Sequence, residues 1–166
     1  KDIPQVKPNY LQIAKEAVSL IQENDVIYIP STTLGLFMVK NLPEHLKIKV
    51  VTNSILIADE LRTLTNVSVI ILGGEMDNKG NCCDTIAVET VKRLRLDKCF
   101  ITSACISASF GLSIQSTPYI SFFNALIDSS RMTIGLYPKE KIVFDSIVSI
   151  CPANRLYTLI TDWDSS

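Results

Sequence analysis

Apolar positions along this chain alternate between two spacings. Near the start, Leu11, Ile13, Ala14, Ala17, Val18 and Ile21 recur largely three and four residues apart, the spacing of one buried helix face, and the pattern stops at Glu23-Asn24-Asp25. A short apolar run, Val26 to Ile29, then predicts a strand. The alternation repeats down the chain. Helices are expected over 33–41, through Ile55, Ala58 and Leu61, and over 84–95 and 117–130. Strands are expected at Ile48–Val51, Val67–Leu72, Lys98–Thr102, Met132–Leu136, Ile147–Ile150 and Leu156–Ile160. Residues 103–116 read as a loop or short hairpin around Gly111, and Tyr137–Lys141 as a turn. Val67–Leu72 is nearly continuous in Val, Ile and Leu, which suits a parallel strand buried on both faces. Strands alternating with helices predict βαβ units and a parallel sheet.

In such sheets ligands sit beyond the carboxyl ends of the strands. Four predicted strands end in small or polar residues: Ser31-Thr32-Thr33, Thr52-Asn53, Gly73-Gly74-Glu75 and Thr102-Ser103. If these strands are neighbours, their ends form one crevice. The Ser31-Thr32-Thr33 turn runs straight into a helical pattern, so two readings stand. Its hydroxyls cap the helix, or they join the helix N-terminus in seating an anion. Ser31, Thr32 and Thr33 are the candidate anion contacts, Thr52 and Asn53 further polar contacts, and Gly73, Gly74 and Glu75 the opposite wall. Neither a dinucleotide-binding GxGxxG nor a P-loop is present, so no cofactor is expected.

Composition narrows the classes. The 166 residues are one domain's worth, and a net charge of −1 argues against a DNA-binding surface on this chain. No apolar stretch approaches the roughly 20 residues of a membrane span. Five cysteines without regular spacing, and a lone His45, speak against a disulfide framework or a zinc site. Reduced thiols in a cytoplasmic protein are expected.

The order of motifs resembles the effector-sensing domain of the DeoR family of bacterial transcription regulators. The matching pieces are Asp25-Val26-Ile27-Tyr28, Ser31-Thr32-Thr33, Val51-Thr52-Asn53-Ser54, Leu72-Gly73-Gly74-Glu75, Leu96-Asp97-Lys98-Cys99-Phe100-Ile101, Gly111-Leu112 and Thr161-Asp162. The resemblance implies an α/β fold. It would be a Rossmann-like parallel sheet flanked by helices on the ribose-5-phosphate isomerase and coenzyme A transferase scaffold, with a small extra α/β element. It also implies a linker end at 1–8, a sensor domain over 9–166, and a winged helix-turn-helix absent from this chain. The implied partners are a small phosphorylated sugar or related metabolite, DNA through the absent domain only, and further copies in a homo-oligomer.

Departures from the family pattern fall on the expected pocket. Ile29, Pro30 and Ser31 stand where an acid, a small residue and Gly are usual, Asp84 stands near a usual Gly, and Cys105 replaces another. Tyr119 and Phe123 take the places of a Glu and a Lys, and Tyr137 that of an Asp. A usual Lys corresponds to Lys139 or Lys141. The aromatics either fill the pocket, stack on a flatter ligand, or are ordinary core four residues apart on one helix face. The expected function is ligand sensing and oligomerisation in a repressor, without catalysis. The alternatives are a sugar-phosphate isomerase, for which Glu75 and Asp84 are the best-placed acids, and a degenerate sensor that only oligomerises.

Overall fold

The structure, a computed structural model, describes residues 8–163. The linker expected over 1–8 therefore lies outside the described residues except for Pro8. That proline opens helix α1, Pro8–Ser19, at the end of a helix where a missing N–H costs least. Then follow β1 (Val26–Tyr28), α2 (Thr33–Lys40), β2 (Ile48–Thr52), α3 (Ile55–Leu61), β3 (Val67–Ile71), α4 (Thr85–Val91) and β4 (Leu96–Ile101). A hairpin of β5 (Cys105–Ser107) and β6 (Gly111–Ile114) leads to α5 (Ile120–Asp128) and β7 (Ser130–Leu136). The chain closes with β8 (Val148–Cys151) and β9 (Thr158–Ile160), each preceded by or joined to a short 3-10 turn, Lys139–Lys141 and Ala153–Arg155.

Six strands form one parallel sheet in the order β3-β2-β1-β4-β7-β9. The fold is thus α/β, a Rossmann-like sheet with helices on both faces. The small extra element is the antiparallel sheet β5-β6-β8, against which α5 packs. Alternation along each central strand feeds two cores. Ile27, Ile29, Val50 and Phe100 point to the layer of α1, α2 and α3, with Ile13, Ala17, Met38, Ile57 and Leu61. Tyr28, Val51, Cys99 and Ile101 point to the layer of α4 and α5, with Val88, Val91, Phe122 and Leu126. Each such side chain contributes about 1.5–3 kcal/mol by leaving water.

One expectation is overturned. β3 is not buried on both faces: it is the sheet's edge, with Ser68 and Ile71 exposed. Its apolar run reflects packing under α3 through Val67 and Val69 on one side and Ile70 on the other. The helix expected over 84–95 ends at Val91, because Lys92 to Arg95 turn the chain into β4.

Polar motif residues hold the frame at the amino end of the sheet. The buried Lys98 Nζ donates to Asp25 Oδ2 at 2.6 Å, and the same oxygen accepts from Gln22 N at 2.9 Å. Asp97 Oδ2 accepts from Val26 N at 2.8 Å. These bonds lock β1 to β4, which share only a short ladder.

Candidate functional site

β1 has β2 on one side and β4 on the other, and the connections leave in opposite directions. This reversal opens a crevice at the carboxyl ends of β1 and β4, the usual ligand position in open α/β sheets. A cleft of about 300 Å3 lies there. Larger grooves, of about 410 and 460 Å3, open toward the amino ends of the strands, beside Lys49 and Ser68 and beside Lys98 and Thr158. Position rather than size selects the first.

The turn from β1 to α2 supplies Ser31 and Thr32 to one wall. Thr32 caps α2: its Oγ1 accepts from Gly35 N at 3.4 Å, and its carbonyl accepts from Leu36 N at 3.0 Å. The side-chain bond is long and leaves the hydroxyl able to serve a second partner. The amides of Thr33 and Leu34, in the first turn, have no acceptor inside the helix. Gly35 makes this turn possible. A Cβ there would lie 1.7 Å from the Pro30 carbonyl oxygen, so only glycine lets α2 start so close to the strand end.

The end of β4 supplies Thr102 and Ser103 to the floor. Ser103 Oγ donates to the Cys105 carbonyl at 3.0 Å and meets the Tyr137 hydroxyl at 2.7 Å. A hydroxyl has one proton, so Tyr137 donates to Ser103. Burial first of all pushes the Tyr137 phenol up, so it stays protonated. Thr102 differs. It is 6% exposed, and its hydroxyl is the buried side-chain polar atom without a partner among the described residues. A buried hydroxyl left so costs about 1–3 kcal/mol.

The loop after β3 brings Lys79 and Asn81. Asp77 ties this loop: its Oδ1 accepts from Lys79 N and Asn81 N, both at 2.9 Å, and its Oδ2 accepts from the Tyr119 hydroxyl at 2.8 Å. The Asn81 N–H, before the Tyr119 hydroxyl and Lys79, holds the Asp77 carboxyl below its ordinary range. Tyr119 is pushed up to about 12 by burial and then by that bond, so it remains a neutral donor. Tyr119 and Phe123 stack on each other, centroids 5.8 Å apart and planes at 26°, and with Ile114 they form an apolar wall. Lys141 lines the mouth.

Of the candidate residues, the structure brings Ser31, Thr32 and Lys141 together. Thr33 sits in the first turn of α2, exposed and outside the lining. Thr52 and Asn53 are buried, lie outside the lining and hold bonds within the frame. Thr52 Oγ1 accepts from Ser54 N at 3.0 Å. Asn53 accepts from the Tyr28 hydroxyl at 2.8 Å and donates to the Cys82 carbonyl at 3.0 Å. Gly73, Gly74 and Glu75 lie outside the lining, because Asp84 draws their loop onto α4: its Oδ2 accepts from Glu75 N at 2.8 Å. Lys139 lies outside the lining, and its backbone N–H donates to Asp162 Oδ1 at 2.8 Å. No Asp or Glu is among the lining residues, and Glu75 and Asp84 stand apart from it. Lys79, Asn81 and Ser116 are lining residues that sequence reasoning missed, since an irregular polar loop carries no sign of where it folds. Thr102 and Ser103 had been marked only as a strand end. Among the described residues no cluster of side chains could hold a metal, and no helix is long and apolar enough to cross a membrane.

The DeoR C-terminal sensor domain model matches residues 9–163, nearly all of the chain. The chain belongs to the DeoR family. This DeoR sensor domain is 26% identical over 151 residues to the HTH-type transcriptional regulator GolR of Listeria innocua, covering 90% of the chain and 59% of the relative. It is 25% identical over 149 residues to the glycerol-3-phosphate regulon repressor of Haemophilus influenzae, covering 90% and 58%. The DeoR domain thus spans under two thirds of the length of these relatives. Ribose 5-phosphate isomerase A of Methanocaldococcus jannaschii has the same fold, with a TM-score of 0.57 at 14% identity over 81% of this chain and 53% of the isomerase.

Proposed function

We propose that this domain senses a small phosphorylated sugar or related metabolite in the cleft between β1 and β4, without turning it over. It regulates DNA binding by a winged helix-turn-helix ahead of residue 1, in a cytoplasmic homo-oligomer. One observation carries the reading. Thr102, whose buried hydroxyl has no partner among the described residues, lines a cleft together with the N-terminal turn of α2 and two lysines. An anion answers all three: it accepts from the hydroxyl and the amides and pairs with the ammonium groups. The lining without carboxylates supports binding over isomerisation, which needs a base beside the carbonyl. The related glycerol-3-phosphate regulon repressor supports a phosphorylated effector by its name.

Contacts between the cleft and α1 support a route to that domain. Lys141 shares its short turn with Glu140, whose Oε2 accepts from Asn9 Nδ2 at 3.5 Å, while Tyr10 also contacts Glu140. The turn at the cleft therefore touches the first turn of α1, where the chain enters the domain. Moving one biases the other, which is the differential contact that coupling requires.

Calorimetry with ribose 5-phosphate and inorganic phosphate, on the parent and on Thr32→Val, tests the site. Removing that hydroxyl is expected to weaken binding by about 1–3 kcal/mol. Equal affinity in both proteins would make Thr32 a helix cap only and place any effector elsewhere. Sedimentation at tens of micromolar (roughly the range in which specific dimers persist) tests assembly. A species of 18.4 kDa alone would remove it.

A further inference from the structure

Asp77 lies outside the lining of the cleft but bonds to three residues within it. Its Oδ1 accepts from the backbone N–H groups of Lys79 and Asn81, both at 2.9 Å, and its Oδ2 accepts from the Tyr119 hydroxyl at 2.8 Å. Its backbone closes the same loop. The Asp77 N–H donates to the Asn81 carbonyl at 2.9 Å, and the Asp77 carbonyl accepts from Gly80 N at 3.1 Å. Gly80, at φ +84°, lets the chain turn back there. The loop is then anchored at two places: Ile55 N of α3 donates to the Gly80 carbonyl at 2.9 Å, and the Asp77–Tyr119 bond ties it to the start of α5.

We propose that Asp77 is a positioning residue for the anion: without touching the ligand, its carboxylate fixes the loop that presents Lys79 and Asn81 to the cleft. The role rests on the phosphate-binding reading above and deepens it. Two effects of the carboxylate have opposite signs. Its negative charge opposes an anion nearby, and for unit charges about 10 Å apart in water that repulsion changes affinity only about twofold. Its bonds hold the loop ready before the ligand arrives, and each backbone residue that would otherwise be ordered on binding costs about tenfold in affinity. Position therefore outweighs charge, and removing the carboxylate weakens anion binding although it removes a like charge. A carboxylate acting by charge alone gives the opposite sign.

Calorimetry on this chain with ribose 5-phosphate and with inorganic phosphate tests the proposal. Asp77→Ala is expected to weaken both by about five- to tenfold. Asp77→Asn is expected to recover the parent affinity or slightly exceed it. Its amide oxygen still accepts both N–H groups, its amide nitrogen donates to the Tyr119 hydroxyl, and the charge is gone. A merely structural role lowers stability in urea and leaves the dissociation constant of the folded protein alone, so the dissociation constant decides. Asp77→Ala binding as tightly as the parent, or tighter, overturns the positioning role and leaves the phosphate site standing. So does Asp77→Asn binding as weakly as Asp77→Ala. Where Asp77→Ala does not fold, Tyr119→Phe takes its place. It keeps the ring and removes a hydroxyl whose one proton already goes to Asp77, so an anion loses no donor directly. Binding is expected to weaken about threefold there, and parent affinity overturns the role. No binding of either ligand by the parent overturns the phosphate site and the role of Asp77 together.

Discussion

Thr102→Val separates a residue kept for binding from one kept for stability. The substitution preserves shape and exchanges a hydroxyl for a methyl. In the folded chain the Thr102 hydroxyl is buried and unpartnered among the described residues, whereas in the unfolded chain water solvates it. Removing it lifts a penalty of about 1–3 kcal/mol. Some relaxation toward nearby polar atoms offsets this, so a gain of about 1 kcal/mol is expected, or roughly 2–4 °C in Tm for a chain of this size. Binding moves the other way. A hydrogen bond to a charged group contributes about 1.5–3 kcal/mol, so affinity for a phosphorylated ligand should fall roughly ten- to a hundredfold. Urea unfolding without ligand and calorimetry with ribose 5-phosphate read the two effects. The neighbouring Ser103→Ala is the contrast. It strips Tyr137 of its acceptor, so it should destabilise by about 1–3 kcal/mol. A Thr102→Val protein less stable than the parent by about 1 kcal/mol or more would show that the hydroxyl is satisfied in the free protein, and the argument would fail.

Three further predictions concern the frame around the cleft. Gly74→Ala should cost about 1–3 kcal/mol, because φ is +141° and a Cβ would meet Asp84 Oδ1 at 2.2 Å. Gly73→Ala, with nothing near its Cβ, should stay within about 0.5 kcal/mol in the same thermal melts. The Asp84 carboxyl is held below its ordinary range, first by the Glu75 N–H and then by that of Ala87. A depressed acid contributes stability above its unfolded pKa and loses it as pH falls through its folded value. The loss should therefore begin below about pH 4, and an acid titration of stability should be shallower in Asp84→Ala; equal slopes would refute the cap's role. Lys98→Met leaves Asp25 buried without its cation, which should cost about 3–5 kcal/mol in urea unfolding. Adding Asp25→Asn should recover part of that loss, and a single variant as stable as the parent would show that the pair is dispensable.

The sequence by itself determined the element order and the parallel α/β class, because local apolar periodicity needs no partner to be read. One of its two readings of the Ser31-Thr32-Thr33 turn, a helix cap, holds at Thr32, whereas the caps at Ser54 and Asp84 became visible only in the structure. The residues of the family motifs were legible too, but their roles were not. Thr52, Asn53, Gly74 and Asp97 turn out to bind backbone or make room for a neighbour, and a motif states identity without stating which way a side chain points. Only the tertiary structure decided that β3 is an edge, since a strand's place in the order depends on pairings far away in sequence. It alone put Lys141, and not Lys139, among the residues lining the cleft. It alone carried Lys79 and Asn81 to the site, on a loop tied by Asp77 to Tyr119 across 42 residues. The unpartnered Thr102 hydroxyl is the plainest case: whether a threonine has a partner is a property of everything around it, and nothing in its own stretch of sequence records that.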